Sequence, residues 1–458
     1  MGGRLKRQQR LPRRCPVPQS IGFRLPVSPF DAAFDGPQLT SDGGLPWLAE
    51  ADAALGLCTA LAAHVPDWRQ RRGRHTIEAL IRQRVFQIAC GYEDQDDADT
   101  LRHDPLLKLV CGRLPTDAPL ASQPTLSRLE NAVGARACYR LASSLLTCYL
   151  EQRGQAGTPE RILIDADGTA DPTHGDQEGS AYHGYYNQHM YHPLLLFDGD
   201  TDQPIAAILR PGTCHASRGS VAVLQRIVPA IRRRWPAVPI VFRGDSGFAI
   251  PALYDHLERE TISYTIGLAT NERLKVVAAP LLASAQEQAL DRQEKVRLFS
   301  ETEYAAATWT HERRVIYKAE WLAKGGNVRF VVTNHTDAPD VLYTWYIQRG
   351  GGPELRIKDL KNACFADRLS DHAFWANQFR LLLHVAAYWL LTTIRRWLTT
   401  AHAARMQLDT LRLQLIKIGG WVHQRLDGVH LHLAASHPGE PLWRLLADRP
   451  HRFVNNSG

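Results

Sequence analysis

The chain has 458 residues, of which 44% are hydrophobic and 22% charged, and its formal net charge is +7. This length exceeds a single typical hydrophobic core, and the ordinary composition excludes a disordered or fibrous chain. No apolar run approaches the roughly 20 residues that a membrane-spanning helix needs, and no apolar segment follows the basic N-terminus as in a secretory signal. We therefore expect a cytoplasmic protein of several domains that has no membrane partner.

Residues 1–45 are predicted to be a basic arm without a fold of its own. Seven Lys and Arg residues precede the first acidic residue, Asp31, so the arm alone accounts for the net charge of +7. A tail of this kind is usually disordered until it meets phosphate. The arm is therefore either a nucleic-acid contact or a solvated leader with little function.

Residues 46–155 are predicted to form a helical DNA-binding domain. Apolar residues recur at helical spacing over 48–64 and 76–90. A further helix over 122–131 has a proline near its first turn and a polar face that includes Arg128. Such helices are typical of helix-turn-helix readers, which makes Arg128 a candidate DNA contact. An ordinary surface helix in a small bundle explains the same pattern.

From residue 156 the pattern changes to alternating strands and helices. Short apolar runs predict strands, amphipathic spacing predicts helices, and their order over 156–274 is β-β-β-α-β-α-β. The predicted strands are 162–166, 189–197, 204–209, 238–242 and 262–268, and the predicted helices are 217–235 and 251–260.

The remaining segments first depart from this alternating pattern and then return to it. Residues 275–342 are predicted to be a β-rich insertion, 343–400 to return to the core with two helices, and 401–458 to form a C-terminal region with a hairpin. The predicted helices are 354–362 and 371–397, the strands of the insertion are 296–299, 305–311, 314–319 and 328–334, and those of the hairpin are 411–418 and 429–433.

Three acidic residues stand where metal-binding carboxylates are expected. Asp167 and Asp245 follow predicted buried strands and precede small residues, and Glu354 begins a predicted helix. Small residues let a metal ion and a phosphate approach the backbone closely. Carboxylates carried to one place by two strand ends and a helix can hold a pair of Mg²⁺ ions for phosphoryl transfer, with Mn²⁺ as a substitute. Asp165 is the alternative to Asp167 as the first ligand.

The order of the predicted elements is that of a ribonuclease-H-like fold. In that layout the end of the first strand lies beside the end of the fourth, and a later helix can add a third carboxylate. The expected fold class is therefore α/β, with a ribonuclease-H-like catalytic core interrupted by the β-rich insertion. An N-terminal helical DNA-binding domain and a C-terminal helical region complete it.

The segment around Glu354 carries a more specific pattern. Bacterial insertion-sequence DDE transposases of the cut-and-paste, hairpin-forming branch have a Tyr–two residues–Arg–three residues–Glu–six residues–Lys motif, which this segment resembles. The matching residues are Tyr346, Arg349, Glu354 and Lys361. Four residues rather than three separate Arg349 from Glu354, which weakens the assignment of Arg349. Other segments that resemble one subgroup of these enzymes are 121–131, 171–179, 185–186, 243–248 and 411–420.

The resemblance implies a transposase that binds terminal inverted repeats in double-stranded DNA, cleaves the ends of its element and joins the 3′-ends to target DNA through hairpin intermediates. It implies that Asp167, Asp245 and Glu354 are the catalytic triad and hold the metal ions. The implied phosphate contacts are Tyr346, Arg349 and Lys361. A homodimer in the DNA complex and a bacterial, nucleoid-associated location are implied as well.

The resemblance also implies that an aromatic side chain stacks on a flipped base. Trp309 and Trp321 in the predicted insertion are candidates, although tryptophans are more often buried in a core.

The cysteines and histidines predict no dedicated metal site. The eight cysteines include no CxxC pair, which favours a reduced compartment and buried thiols. A run of four histidines lacks the spacing of a zinc motif and is expected to be structural or to face DNA. It consists of His174, His183, His189 and His192.

Two other functions explain part of the same pattern. A metal-dependent nuclease with a ribonuclease-H fold would need the same carboxylates but would not join DNA. A non-catalytic DNA-binding regulator, such as a decayed transposase, would need no carboxylate triad, and the presence of Tyr346 and Lys361 beside one argues against it.

Overall fold

The computed structural model describes residues 21–24, 28–69, 73–322, 325–351, 353–398 and 405–449. The first 20 residues, which hold six of the seven basic residues of the predicted arm, lie outside this part of the chain. The side chains of Arg349 and Glu354 also lie outside it, although both residues belong to described helices.

The N-terminal region consists of short strands followed by helices. The helices begin where the sequence provides caps: Thr76 and Asp104 accept backbone N–H groups in the first turns of two of them. The strands are β1 Ile21–Arg24, β2 Pro29–Ala32 and β3 Leu39–Thr40, and the helices are α1 Leu45–Leu55, α2 Leu57–Ala62, α3 Ile77–Cys90, α4 Ala98–Leu101, α5 Pro105–Val110, α6 Gln123–Asn131 and α7 Ala135–Gly154.

Within the described residues, eight strands form a mixed sheet at the centre of the molecule, and three shorter ones form a small sheet beside it. The strands are β4 Ile162–Gly168, β5 Asp171–Pro172, β6 Ala181–His183, β7 Gln188–Tyr191, β8 Leu194–Asp198, β9 Pro204–Ile208, β10 Ile240–Gly244, β11 Ser263–Leu268, β12 Val296–Tyr304, β13 Arg313–Leu322 and β14 Gly325–Thr333. The central order is β12-β13-β14-β11-β10-β4-β8-β9, and the small sheet has the order β5-β7-β6. Strand β10 is parallel to both of its neighbours, whereas the other central pairs are antiparallel.

The remaining helices cover this sheet and lead to a C-terminal hairpin that pairs with β3. Their bounds are α8 Ser220–Arg234, α9 Pro251–Arg259, α10 Glu272–Arg292, α11 Pro339–Gly351, α12 Pro353–Asn362, α13 Phe374–Trp397, α14 Leu408–Leu411 and α15 Glu440–Ala447. The hairpin consists of β15 Gly420–Arg425 and β16 Gly428–Leu433.

Helix α13 is buried on every side over residues 376–395, and two thirds of its residues are apolar. Several of its polar residues are buried with partners. Gln378 accepts the backbone N–H of Leu209 at 2.7 Å and donates to the carbonyl of Ala207 at 3.2 Å, so it satisfies backbone groups at the edge strand β9. The cluster of buried apolar side chains is continuous from α1 to α15 and crosses the predicted domain divisions. No described helix combines the length and the apolar surface needed to span a lipid bilayer.

Several predicted elements are wrong in detail. Residues 305–311 are a loop rather than a strand, and it turns where the N–H of Trp309 bonds to the carbonyl of Ala306. Residues 411–416 are helical, because the buried positions Leu411 and Leu415 follow a helical period while Leu413 is exposed. The predicted strand 189–197 divides into β7 and β8 just before Pro193, which has no N–H for a ladder.

The predicted β-rich insertion differs most from the structure. It begins with the helix α10, and its strands β12–β14 extend the central sheet through an antiparallel pairing of β14 with β11. Helix α10 buries a narrow stripe made mostly of alanine, which gives a weak apolar pattern. The stripe consists of Leu274, Ala278, Ala285 and Ala289.

Candidate functional site

The two aspartates predicted at strand ends lie side by side. Strand β10 runs parallel to β4, and their register pairs Arg243 with Asp165 and Gly244 with Ala166. Asp245 directly follows Gly244 and Asp167 directly follows Ala166, so both aspartates stand at this strand end. Side chains alternate along a strand, which puts Asp165 and Asp167 on one face of the sheet together with Arg243. Neighbouring strands are about 4.8 Å apart. Both Asp167 and Asp245 are half-buried, so a ligand from solvent can reach them.

A tight turn fixes the carboxylate of Asp245. Its Oδ1 accepts the backbone N–H of Gly247 at 2.8 Å and caps the 3₁₀ turn Ser246–Phe248. Phe248 is fully buried and anchors this turn in the core. The neighbouring strand carries Gly267, where a Cβ atom would lie 2.7 Å from the hydroxyl of Tyr346 and 3.3 Å from the carbonyl carbon of Asp245. The lack of a side chain at Gly267 lets helix α11 approach the turn.

Helix α11 brings Tyr346 to the same strand end. The phenol is partly buried and donates to the carbonyl oxygen of Gly244, the residue before Asp245, at 3.3 Å. The preceding residue, Trp345, lies against Arg243, whose guanidinium carbon is 4.6 Å from the centre of the indole ring. Tyr346 of the predicted motif is therefore next to one predicted catalytic aspartate.

Asp165, the alternative first ligand, is buried and bound by arginines on both oxygens. It is 1% exposed. Arg243 donates to Oδ1 at 2.7 Å and to Oδ2 at 2.9 Å, and Arg356 of helix α12 donates to Oδ2 at 2.8 Å. Arg356 also binds Asp202 at 2.5 Å. A metal ion would have to displace these arginines to bind Asp165.

Helix α12, which carries Glu354, is bonded to the β4 segment at two points along its length. Arg356 binds Asp165, and the ammonium of Lys361 donates to the carbonyl oxygen of Ala170, beyond the end of β4. Among the described side chains, no three His, Cys, Asp or Glu are grouped to hold a metal ion. The side chain of Glu354 lies outside that part, so its convergence with Asp167 and Asp245 stays a prediction.

The hairpin formed by β6 and β7 presents aromatic rings near the two aspartates. Tyr185 at its tip is 87% exposed and Tyr186 is 38% exposed, with ring centres 5.0 Å apart. Partial burial, the neighbouring Tyr185 and the negative charges of Asp167 and Asp245 all raise the pKa of Tyr186. The Tyr186 hydroxyl is therefore within electrostatic reach of both carboxylates.

The tryptophans that were candidates for base stacking pack within the protein instead. The ring of Trp309 is 5.2 Å from that of Tyr254 and 5.5 Å from that of Tyr304. Trp321 packs beside the buried stripe of α10. Both are partly buried, as expected of structural tryptophans.

The predicted DNA contact Arg128 is exposed on α6. The last residue of the same helix, Asn131, donates to Asp371 at 3.2 Å, so this end of α6 is bonded to the segment that leads into α13. Arg128 is thus accessible to solvent, on a helix that is hydrogen-bonded to the segment before α13.

His192 and the cysteines behave as structural residues, whereas other histidines of the run are exposed. His192 is buried and its Nδ1 is 2.7 Å from the carbonyl oxygen of Cys214, whereas His174 and His189 are exposed. All seven described cysteines are buried. Burial raises the pKa of several of their thiols, for example that of Cys111 to about 12, so they stay protonated.

The arginines around Asp165 were missed by the sequence-based predictions. A signal for one of them exists: Arg243 precedes Asp245 by two residues, just as Asp165 precedes Asp167. An arginine within an apolar strand needs a buried acidic partner, and parallel strands in register would supply it. No comparable local pattern points to Arg356.

A comparison with curated proteins finds no match. The chain is similar to a piggyBac transposase solved by cryo-EM as a synaptic complex with hairpin DNA, with 11% identity and a TM-score of 0.45, over 92% of this chain and 87% of that chain. The sequence matches the family described as Transposase DDE domain group 1 over residues 26–453. Because this match spans nearly the whole chain, the protein belongs to that family and is a DDE transposase.

Proposed function

We propose that this protein is the transposase of a bacterial insertion sequence, which cleaves the ends of its element and joins the 3′-ends to target DNA. The observation that carries the proposal is the pair of half-buried aspartates, Asp167 and Asp245, which directly follow the paired residues Ala166 and Gly244 of two parallel strands. An arrangement of this kind serves phosphoryl transfer because it presents oxygen donors together in a place that a ligand can reach.

The catalytic core in this proposal is ribonuclease-H-like. Support comes from the order β9-β8-β4-β10-β11, in which the first strand of the core, β4, lies between the second and the fourth. The three strands of the meander, β4, β8 and β9, are antiparallel, and β10 and β11 are parallel to β4. Strands β12–β14 are then an extension added beyond the fifth strand.

DDE transposases use divalent metal ions, and we propose Mg²⁺, with Mn²⁺ as a substitute, at Asp167, Asp245 and Glu354. The two described carboxylates fit a hard cation because both residues are half-buried and stand together at the ends of adjacent strands. Bound metal ions would activate the attacking oxygen and stabilise the leaving oxygen of a phosphodiester.

The residues around the carboxylates would orient the DNA. Tyr346 and Lys361 already direct donors to backbone carbonyls beside the ends of β10 and β4, so a phosphate at the strand ends would lie within their reach. Arg349, one helical turn after Tyr346, is proposed as a third phosphate contact. The exposed Tyr185 and the adjacent Tyr186 would stack on an unpaired base at the cleaved end.

The proposed reaction is a series of in-line displacements at phosphorus. Water attacks a phosphodiester at the element end, and the bond to the 3′-oxygen breaks to leave a 3′-hydroxyl. That hydroxyl attacks the opposite strand, forms a hairpin and releases the flanking DNA. A second water reopens the hairpin, and the liberated 3′-hydroxyl attacks target DNA. Each step replaces one phosphorus–oxygen bond by another. Because both ends must react together, a homodimer bound to the terminal inverted repeats is expected.

A strand-transfer assay tests the proposal. Labelled element ends and plasmid target are incubated with the protein and Mg²⁺. Joined products support a transposase; nicks alone indicate a nuclease of the same fold, and bound but uncut DNA indicates a regulator.

Asp245→Asn preserves an acceptor for the N–H of Gly247, so it is expected to bind ends without cutting them. Asp427→Asn is the matched control, because Asp427 lies in an exposed turn of the β15–β16 hairpin and should leave cleavage unchanged. Full cleavage by Asp245→Asn would contradict the proposed site.

A further inference from the structure

The buried carboxylate of Asp165 connects the elements that carry the proposed catalytic residues. It lies on β4, two residues before Asp167. Through Arg243 it binds β10, two residues before Asp245, and through Arg356 it binds α12, two residues after Glu354. The closest contacts of these ion pairs are 2.7 Å and 2.8 Å, and the side chains are almost completely buried.

The same network reaches helix α11. Arg243 donates to the carbonyl oxygen of Trp345 at 3.2 Å and lies over the indole ring of that residue, directly before Tyr346. On its other side, Arg356 donates to the carbonyl oxygen of Gly199 at 3.0 Å. Gly199 must be a glycine for this packing, because a Cβ atom there would lie 2.7 Å from Oδ2 of Asp165. The backbone at Gly199 thus comes close enough to Arg356 to accept one of its hydrogen bonds.

Stability alone does not explain this arrangement. Removing charges from water is costly, so a buried ion pair is often no more stabilising than apolar side chains of the same volume. What the two arginines add is direction. Arg243 binds Asp165 with two donors, and Arg356 bridges Asp165, Asp202 and the carbonyl of Gly199. The planar guanidinium fixes both the distance and the angle between the groups that it bridges. Here the bridged groups are the two strands and the helix that bear the three proposed metal ligands.

We propose that Asp165, with Arg243 and Arg356, is a positioning residue that sets helix α12 against the ends of β4 and β10 and thereby brings Glu354 into register with Asp167 and Asp245. This inference rests on the proposed metal site. Asp165 acts through the arginines and touches neither DNA nor metal. The arginines in turn neutralise its charge, whereas Asp167 and Asp245 at the strand ends are half-buried and can be reached from solvent.

The decisive variant is Arg356→Lys, which keeps the positive charge but cannot reproduce the fork that binds Asp165, Asp202 and the carbonyl of Gly199. Mn²⁺ binding to the whole protein is followed by the electron paramagnetic resonance signal of unbound Mn²⁺, which needs no catalytic turnover. Loss of a supporting partner typically weakens metal binding about 10- to 100-fold, and we expect that loss here. Binding of element-end DNA without metal should stay unchanged.

The matched control is Arg313→Lys. Arg313 is equally buried and also lies between two carboxylates, Asp255 and Glu258, but it is on β13. The substitution Arg313→Lys should lower thermal stability and leave Mn²⁺ affinity unchanged. The positioning proposal is overturned if Arg356→Lys binds Mn²⁺ normally, or if both variants lose affinity equally. Asp165→Asn should lose Mn²⁺ affinity as Arg356→Lys does. If Asp165→Asn does not fold, the result for Arg356→Lys alone decides.

Asp245→Asn separates this inference from the proposed function. If that variant binds Mn²⁺ as tightly as the unchanged protein, the metal site is misassigned and the proposed function fails. If Asp245→Asn loses Mn²⁺ but Arg356→Lys does not, the metal site stands and the positioning role of Asp165 is wrong.

Discussion

The two halves of the central sheet both bury an arginine between two carboxylates, but the surroundings differ. In the half formed by β4 and β8–β11, Arg356 joins Asp165 and Asp202 beside the half-buried strand ends. In the half formed by β12–β14, Arg313 joins Asp255 and Glu258, and the aromatic rings of Tyr254 and Trp309 lie over its guanidinium. We call these the core half and the extension half.

This comparison shows that a buried ion network by itself does not mark a reaction site. In the extension half, the aromatic rings of Tyr254 and Trp309 lie over Arg313, and both of its carboxylates are paired with it. The network of the core half leads to Asp167 and Asp245, which a ligand can reach. The difference lies in which residues are next to each network.

The largest expected contrast is within β4 itself. Asp167→Asn should reduce cleavage by more than about 100-fold, the upper limit for supporting partners of metal ligands, with little change in stability. Asp165→Asn should lower the free energy of unfolding by about 3 kcal/mol, because it leaves two buried arginines short of a negative charge. Denaturant unfolding and cleavage of labelled ends measure the two effects. If Asp167→Asn is the less stable variant, the assigned roles are reversed.

The extension half should show an effect of pH on stability without an effect on metal binding. Burial acts to raise the pKa of Glu320, but hydrogen bonds from Lys318 and Asn327 outweigh it and lower the pKa from 4.5 to about 2. Because the folded-state pKa is below the unfolded one, the stabilisation is complete above pH 4.5 and disappears as the pH falls towards 2.

Glu320→Gln should therefore lower the free energy of unfolding at pH 7 by at most roughly 3 kcal/mol, and by progressively less on acidification. Urea unfolding of both proteins at several pH values tests this. A difference that is independent of pH would contradict the charged state of Glu320 in the fold. Mn²⁺ affinity should be equal in the two proteins, as expected for a residue of the extension half.

The comparison also explains how far the sequence could predict this molecule. The strands that carry Asp167 and Asp245 were predictable because each is a short apolar run that ends in small residues. The burial of α13 was predictable because apolar residues make up most of its sequence. These are local signals, and local signals fix the type of an element.

What the sequence could not provide is the pairing between distant elements. The ion pair between Asp165 and Arg356 joins residues separated by 191 positions, and it depends on how α12 packs against the sheet. Asp165 was therefore predicted as an alternative ligand, although both of its oxygens are bound by arginines. The extension of the sheet by β12–β14 was missed for the same reason, since strand order is set by long-range pairing.

Replacing exposed aromatic rings should have an intermediate effect on DNA affinity, and only in the core half. Tyr185→Ala removes an exposed ring beside the core half, and loss of one stacked base should weaken binding of DNA with an unpaired end by about 1–3 kcal/mol. Tyr186→Phe keeps its ring and should bind normally. Trp309→Phe in the extension half should change thermal stability and leave DNA affinity unchanged. Equal losses for fully paired and unpaired DNA would exclude stacking by Tyr185.

The smallest expected effect tests whether DNA contacts extend beyond the core half. Arg128 is exposed on α6, so its replacement should change the free energy of unfolding by less than about 0.5 kcal/mol. If it binds a phosphate, Arg128→Ala should weaken binding of all DNA sequences alike and reduce the slope of log K against log salt by about 1. Binding to element ends and to unrelated DNA over a series of KCl concentrations measures both quantities.

The control for Arg128→Ala is Arg444→Ala, since Arg444 is also exposed but is paired with Glu440 on the C-terminal helix α15. That variant should keep the salt dependence of the unchanged protein. A loss confined to the element ends would instead mean that Arg128 reads a base, because phosphate contacts carry no sequence information. An unchanged slope with Arg128→Ala would limit the DNA contacts to the strand-end side of the molecule and leave α6 as a packing helix.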